Sequence, residues 1–287
     1  MTWEDLDAHL DTVSGTVSAY VGRPGAGPTW TRLPDATHYA ASTMKVGVLV
    51  ALHRAAEAGR LDLDAPIPVR NAFDSALPGA PTFACARDYD NDDAVWERVG
   101  GSASPRWLAE RMIVRSSNLA TNICIGQVGL PAVAEVWALA GARHSVTGRG
   151  IEDFAAREAG ITNLVTAADL AALLGGLALG AQRPGPLASP AACAAMLDVL
   201  FAQEHREDLA AGLPEGTRIA HKNGWVHGVR HGAGVVFPTD APPYVIVACT
   251  TTDLADGGPS GEEDDDACRL IADISARVWA ARHDLAG

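Results

Sequence analysis

Strand signals lie at the two ends of this chain and helical periodicity fills the stretch between them. That order restricts the fold more than any other feature. Residues 13–21 alternate apolar and small polar side chains as a half-buried strand does. The run Gly22-Arg23-Pro24-Gly25-Ala26-Gly27-Pro28 then turns the chain into a second strand; it is no phosphate cradle, since no Lys-Ser/Thr and no helix follow it. Strand patterns return only at residues 217–225, 229–237 and 244–251. Between them, apolar residues recur at helical spacing over 43–59, 105–115, 118–128, 130–139, 166–179 and 189–203. Amphipathic helices open the chain at 2–12 and close it at 264–283, the latter led in by Glu262 to Asp266, whose charge suits a helix N-terminus. The economical solution is an α/β (α+β) fold, with one antiparallel sheet built from both termini, flanked by terminal helices, and an inserted all-α subdomain. One domain spanning 1–287 is expected, its α/β part about 1–42 and 205–287 and its all-α part about 43–204. Residues 71–104 and 142–165 read as irregular loops.

Among 22 basic residues just two are lysines, Lys45 and Lys222. Arginine stays protonated near neutral pH, whereas a desolvated lysine amine can lose its proton and act as a base. Both lysines sit in chemically suggestive company. Ser42-Thr43-Met44-Lys45 places a hydroxyl and an amine about one turn apart on one face of a helix start, where the helix field favours developing negative charge. Ser116-Ser117-Asn118 falls at a break between two helices, and Lys222-Asn223-Gly224 lies in a strand that a glycine weakens unless something must approach its backbone. Taken singly, each string has a plain reading: a serine N-cap with a surface lysine, a second N-cap, and an edge-strand lysine.

Taken together and in order, S-x-x-K, S-x-N and K-x-G resemble the active-site serine β-lactamases and penicillin-binding proteins, and in layout the class A β-lactamase branch. Tyr39-Ala40-Ala41 before Ser42, Met112-Ile113 before the second motif, and Asn122 after it agree with the resemblance, which covers nearly the whole chain. It implies a β-lactamase/transpeptidase-like fold and a serine hydrolase that forms an acyl-enzyme at Ser42 on a β-lactam or another amide or ester. Lys45 would be the base or proton relay, and Ser116 would pass a proton to the leaving group. Asn118 would hold the substrate amide, Lys222 would tune Ser116, and the backbone N–H groups of Ser42 and Trp225 would form the oxyanion hole, with Gly224 between strand and nucleophile. Arg230 falls where the family often has a carboxylate-binding arginine; a surface charge is the alternative.

The pattern also departs from the family. Ser117 stands for the aspartate of S-D-N, and Asn223 for the hydroxyl residue of K-T/S-G. The glutamate that directs the deacylating water, in Glu-x-x-Leu-Asn, has no clear counterpart. Pairing Arg149 with Asn163 as the loop-closing residues puts Ile151 near its position, and Glu152 reaches the site only if the loop shifts by one residue; otherwise it is an exposed loop carboxylate. These departures leave room for an intracellular esterase or acyltransferase of a biosynthetic pathway, or for a non-catalytic ligand-binding homologue. Asp88-Tyr89-Asp90-Asn91-Asp92-Asp93 lacks the glycine and final glutamate of a calcium loop and reads as a solvated acidic loop, one that could border the site. His221, His227 and His231 crowd one hairpin and read as packing or pocket lining rather than as a metal site.

Composition narrows the partners. A net charge of -13 and a pI near 5.0 argue against nucleic acid and anionic membranes, and no apolar run is long and charge-free enough to span a bilayer. The expected partner is a small acyl compound carrying a carboxylate, with no cofactor and no metal. Five widely spaced cysteines without a C-x-x-C pair read as free buried thiols. With the acidic N-terminal segment, which lacks the basic and apolar regions of a signal peptide, they point to a cytoplasmic location.

Overall fold

The computed structural model describes residues 2–257 and 265–286. The central sheet has five antiparallel strands: β1 (Thr16–Gly22), β2 (Pro28–Arg32), β3 (Arg218–Val226), β4 (Val229–Phe237) and β5 (Tyr244–Thr251). Their order is β2-β1-β5-β4-β3, so the first strand of the chain pairs with the last, Thr16 opposite Thr251 and Gly22 opposite Val245. The sheet is therefore built from both termini, as the order of signals in the sequence demands.

Side-chain alternation gives the sheet two apolar faces. Val17, Ala19, Val21, Ile246 and Ala248 point to one side. There they pack against α1 (Trp3–Leu10) and α8 (Asp266–Ala280) through Leu6, Leu10, Ile271, Ile274 and Val278. Ala220, Val235, Val245, Val247 and Cys249 point to the other side and join a core shared with the inserted helices. Those helices are α2 (Lys45–Glu57), α3 (Pro105–Val114), α4 (Asn118–Val128), α5 (Leu130–Leu139), α6 (Ala167–Gly180) and α7 (Pro190–Phe201). Sheet and helical block share one continuous core, so neither buries its apolar face alone.

α2 is the central helix. Every residue from Lys45 to His53 is buried, which fits a segment apolar all round except at its two ends. Its start differs from the expected one: Ala41–Met44 form a single 3₁₀ turn, and the α-helix proper begins at Lys45. α3, α4, α6 and α7 are capped by Ser104, Ser117, Thr166 and Ser189, whose side chains accept the backbone N–H groups of Trp107, Ala120, Asp169 and Ala192. The last helix starts at Asp266 behind the Asp265 cap; Glu262, Glu263 and Asp264 lie outside the described residues.

The two expected loops carry more structure than their composition suggested. In 142–165, Val146–Thr147 pairs with Asn163–Val165, which pairs in turn with His38–Tyr39, and Phe154–Glu158 forms a short helix. In 71–104, Arg87–Tyr89 form a 3₁₀ turn and Asp93–Trp96 a helical turn, while Ser102–Ala103 pairs with Ile67–Pro68. These short pieces lack the length for a readable periodicity. All five cysteines are free and buried. No single described helix is long and apolar enough to cross a membrane; α4 and α5 pass together on composition, but they are bent by 88° and bury their apolar residues in the core.

Candidate active site

Ser42 sits on the 3₁₀ turn just before α2, and Lys45 is the first residue of the helix. Ala41, which precedes the serine, has φ 44°, in the left-handed region that costs a non-glycine residue about 1–2 kcal/mol. The turn is braced from both sides. The Thr43 hydroxyl donates to the Ala40 carbonyl at 2.6 Å, and the Ala40 N–H donates to the Asn163 carbonyl at 3.0 Å. One strand-residue earlier, the Tyr39 carbonyl accepts from His231 Nε2 at 2.8 Å, while His231 Nδ1 accepts the Thr250 N–H at 3.1 Å.

The three motifs come together, as the family resemblance implied. The fully buried Lys45 Nζ donates to the Ser116 carbonyl at 2.7 Å, the Asn118 Oδ1 at 3.0 Å and the Ser116 Oγ at 3.2 Å. Burial pulls its amine down to about 7, against the opposing pull of Asp90 and Cys85. Ser116 itself is held at φ 60°. β3 closes the third side: a Cβ added to Gly224 would lie 2.7 Å from the Ser42 backbone nitrogen and 3.0 Å from that of Thr43. The glycine of K-x-G is there because the Ser42 turn lies against the strand backbone.

Lys222 is also fully buried, but it donates to its own neighbour, the Asn223 carbonyl at 2.9 Å and the Asn223 Oδ1 at 3.2 Å. Burial first, and then the charge of Lys45, push its amine well below the ordinary lysine range. The Asn223 amide turns away from the serine and donates to the His205 carbonyl at 3.4 Å.

A cavity of about 480 Å³ opens over Ser42, walled by Asn118, Trp225, Tyr39, Ile151 and Glu152. Tyr89 and Phe154 stand at its edge, 76% and 55% exposed. Arg157 and His227 line it too.

Two expected residues are placed differently. Arg230 is 1% exposed, donates to Glu207 at 2.8 Å and stacks against Trp225 with its guanidinium 5.0 Å from the ring centre. It is absent from the cavity wall and it is no surface charge; the strand register pairs Trp225 with Arg230, and the guanidinium packs against the tryptophan. Glu152 does border the cavity, yet its Oε2 accepts the Ala86 N–H at 2.9 Å. Burial raises its carboxyl, with the nearby Asp90 adding to the effect. The reason lies one residue earlier. The Asn122 amide accepts from the Ile151 N–H and donates to the Ile151 carbonyl, both at 2.8 Å, pinning Ile151 as the residue that faces the site. Gly150 permits that approach, since a Cβ there would lie 2.9 Å from Asn122 Oδ1. Arg149 and Asn163 meet as expected, through the Asn163 amide and the Arg149 backbone.

The acidic loop is also corrected. Asp92 is buried and pairs with Arg111 and Asp90 bonds the start of α4, so these two carboxylates hold structure, whereas Asp88 and Asp93 are exposed as expected, and the loop borders the cavity through Asp88, Tyr89 and Asn91. Among the described residues no group of three or more His, Cys, Asp or Glu is arranged to hold a metal ion. His221 and His231 are buried in the hairpin, and His227 lies at the cavity.

An antiparallel sheet between terminal helices and a helical block, with these three motifs at the junction, defines the β-lactamase/transpeptidase class of fold. The chain belongs to the Beta-lactamase enzyme family, whose sequence model matches residues 2–281. A β-lactamase of Rhodobacter capsulatus is 32% identical over 132 residues, which span 45% of this chain and 40% of that protein. Among solved structures, a β-lactamase from Sphaerobacter thermophilus superposes with a TM-score of 0.73 at 26% identity, covering 98% of both chains. PBP-A superposes at 0.77 with 23% identity, covering 98% of this chain and 96% of that one. A point mutant of PBP-A, described as an acyl-enzyme complex with penicillin G, superposes at 0.75 with 24% identity over 98% and 95% of the two chains.

Proposed function

We propose that this protein is a serine hydrolase or acyltransferase that works through an acyl-enzyme at Ser42. The observation that carries the reading is the buried amine of Lys45, one turn from a cavity-lining serine and bonded to Ser116 Oγ. Ser42 Oγ attacks the acyl carbonyl and its proton passes to the neutral Lys45 amine. The bond to the leaving nitrogen or oxygen breaks as Ser116 donates its proton, and Lys45 returns a proton to Ser116 across the 3.2 Å bond. The backbone N–H groups of Ser42 and Trp225 stabilise the oxyanion.

Release of the acyl group is the slow half of this reaction. Asn122 presents Ile151, which cannot activate water, where a general base is needed, and one oxygen of the neighbouring Glu152 carboxylate is held by the Ala86 N–H. The acyl-enzyme therefore persists long enough for an acceptor other than water. With Arg230 committed to Glu207, a substrate carboxylate is met at the cavity by Arg157 and His227. Penicillin G and small activated esters are the first probes. Intact-mass spectrometry over time should show the wild type gaining one acyl group that decays slowly, and Ser42→Ala gaining none. Equal labelling of both proteins would remove the reading.

A further inference from the structure

The middle position of the S-x-N motif carries Ser117 where the family pattern has a carboxylate, yet a carboxylate from another loop is bonded to that serine. It belongs to Asp90. Its Oδ2 accepts the Leu119 backbone N–H at 2.8 Å and the Ser117 hydroxyl at 3.2 Å. Its Oδ1 accepts the Asp92 N–H at 3.2 Å, which fixes the rotation of the group. The preceding residue joins in: the Tyr89 carbonyl accepts the Asn118 side-chain amide at 2.8 Å. Two adjacent loop residues thus hold two residues of the motif, Ser117 and Asn118, and the Leu119 N–H that follows them.

We propose that Asp90 is a positioning residue of the active site, supplying from a separate loop the carboxylate that Ser117 lacks and keeping Ser116 and Asn118 against Lys45. The turn requires such support. Ser116 sits at φ 60°, a conformation that persists only where its surroundings enforce it. α4 also begins here, and a carboxylate at its first N–H groups complements the helix field. The Asn118 amide divides its two ends between the Tyr89 carbonyl and Lys45 Nζ, so a shift of the loop moves an acceptor of the catalytic amine.

Charge follows geometry. Asp90 and Cys85 face Lys45 from the loop side and favour its protonated form, whereas Lys222 faces it from β3. Glu152 faces Asp90 and Cys85 in turn, and Arg115 and His205 border the hollow outside Asp90. Asp90 is the carboxylate of this group that bonds the motif turn directly.

The catalytic meaning of the assignment rests on the proposed function, but its test needs no substrate. With two lysines in the chain, protein labelled with ¹³Cε-lysine gives two Cε resonances, and Lys222→Arg identifies which is Lys45. Asp90→Asn should lower the Lys45 titration midpoint by about half a pH unit, roughly a threefold change in its protonation equilibrium. Adding Ser117→Asp to that variant should restore it. A Lys45 midpoint unchanged in a folded Asp90→Asn, or not restored by Ser117→Asp, would overturn the assignment. If Asp90→Asn fails to fold, the exchange variant Asp90→Ser with Ser117→Asp decides. A folded exchange protein with the wild-type midpoint supports the assignment, and a displaced midpoint or an unfolded protein overturns it. Absence of any acylation of Ser42 in the wild type would remove the proposed function and leave this result standing.

Discussion

Lys45 and Lys222 are both fully buried and both lose much of their basicity to burial, yet the surrounding chain uses them differently. Lys45 reaches across the fold to the Ser116–Asn118 turn, some seventy residues away, and finds three acceptors there. Lys222 bonds to the carbonyl and amide of the residue next to it. One amine is bonded to the Ser116–Asn118 turn; the other is held within its own strand, with Lys45, Arg230, Asp208 and Glu207 as its electrostatic neighbours. Burial alone does not make a lysine a base. Under the proposed mechanism, what separates the two is that the acceptors of Lys45 include the Ser116 hydroxyl.

Substituting arginine for each lysine is the strongest way to break this contrast. Arginine cannot give up its proton, so Lys45→Arg should slow acylation of Ser42 by about 10³-fold, within the range for loss of a general base. Lys222→Arg alters an amine that bonds Asn223 rather than the motif turn and should cost about tenfold. Comparable losses in a stopped-flow acylation assay would erase the difference. Next in size, Gly224→Ala pushes a methyl to within 2.7 Å of the Ser42 nitrogen. It should slow acylation about 10²-fold and destabilise the fold by about 1–3 kcal/mol, read by denaturant unfolding.

The pH dependence separates the lysines further. Acylation needs a neutral Lys45, so its rate should fall tenfold per unit below about pH 7 and level off above it. Stability carries the same signature. Between pH 7 and 10.5 the unfolded chain holds a proton on this residue that the folded protein does not, so stability rises with pH in that window. The Lys45 contribution approaches about 1.4 kcal/mol per pH unit, and it should vanish in Lys45→Met.

The loop facing the site offers a milder test. Ile151→Glu places a carboxylate where Asn122 points the chain and should speed acyl-enzyme decay by about 10²-fold. Glu152→Gln should change that decay by less than about threefold, because its carboxylate bonds Ala86 instead. Fast decay in the wild type that Glu152→Gln abolishes would reverse the roles given to these neighbours.

Much of this was legible from the residues alone. The ends-and-middle order of strand and helix signals implied the sheet built from both termini, because unpaired terminal strands have no other partner. The three motifs implied their convergence, and Gly224 signalled a close approach that the Ser42 turn fulfils. Asn122 was visible in its motif, but its grip on Ile151 was not, since that depends on where a loop thirty residues on returns. Asp90 had no local signal beyond a missing aspartate at position 117, and Arg230 looked available until the register with Trp225 buried it.

The sequence by itself determined which groups could do chemistry: periodicity sets the elements, and rare residues in ordered motifs mark the reacting side chains. Tertiary structure alone decided which of those groups are free to act. What a carboxylate or guanidinium can reach depends on where its neighbours hold it, and partners such as Ala86 for Glu152 Oε2 and Glu207 for Arg230 come from segments that meet only in the folded chain.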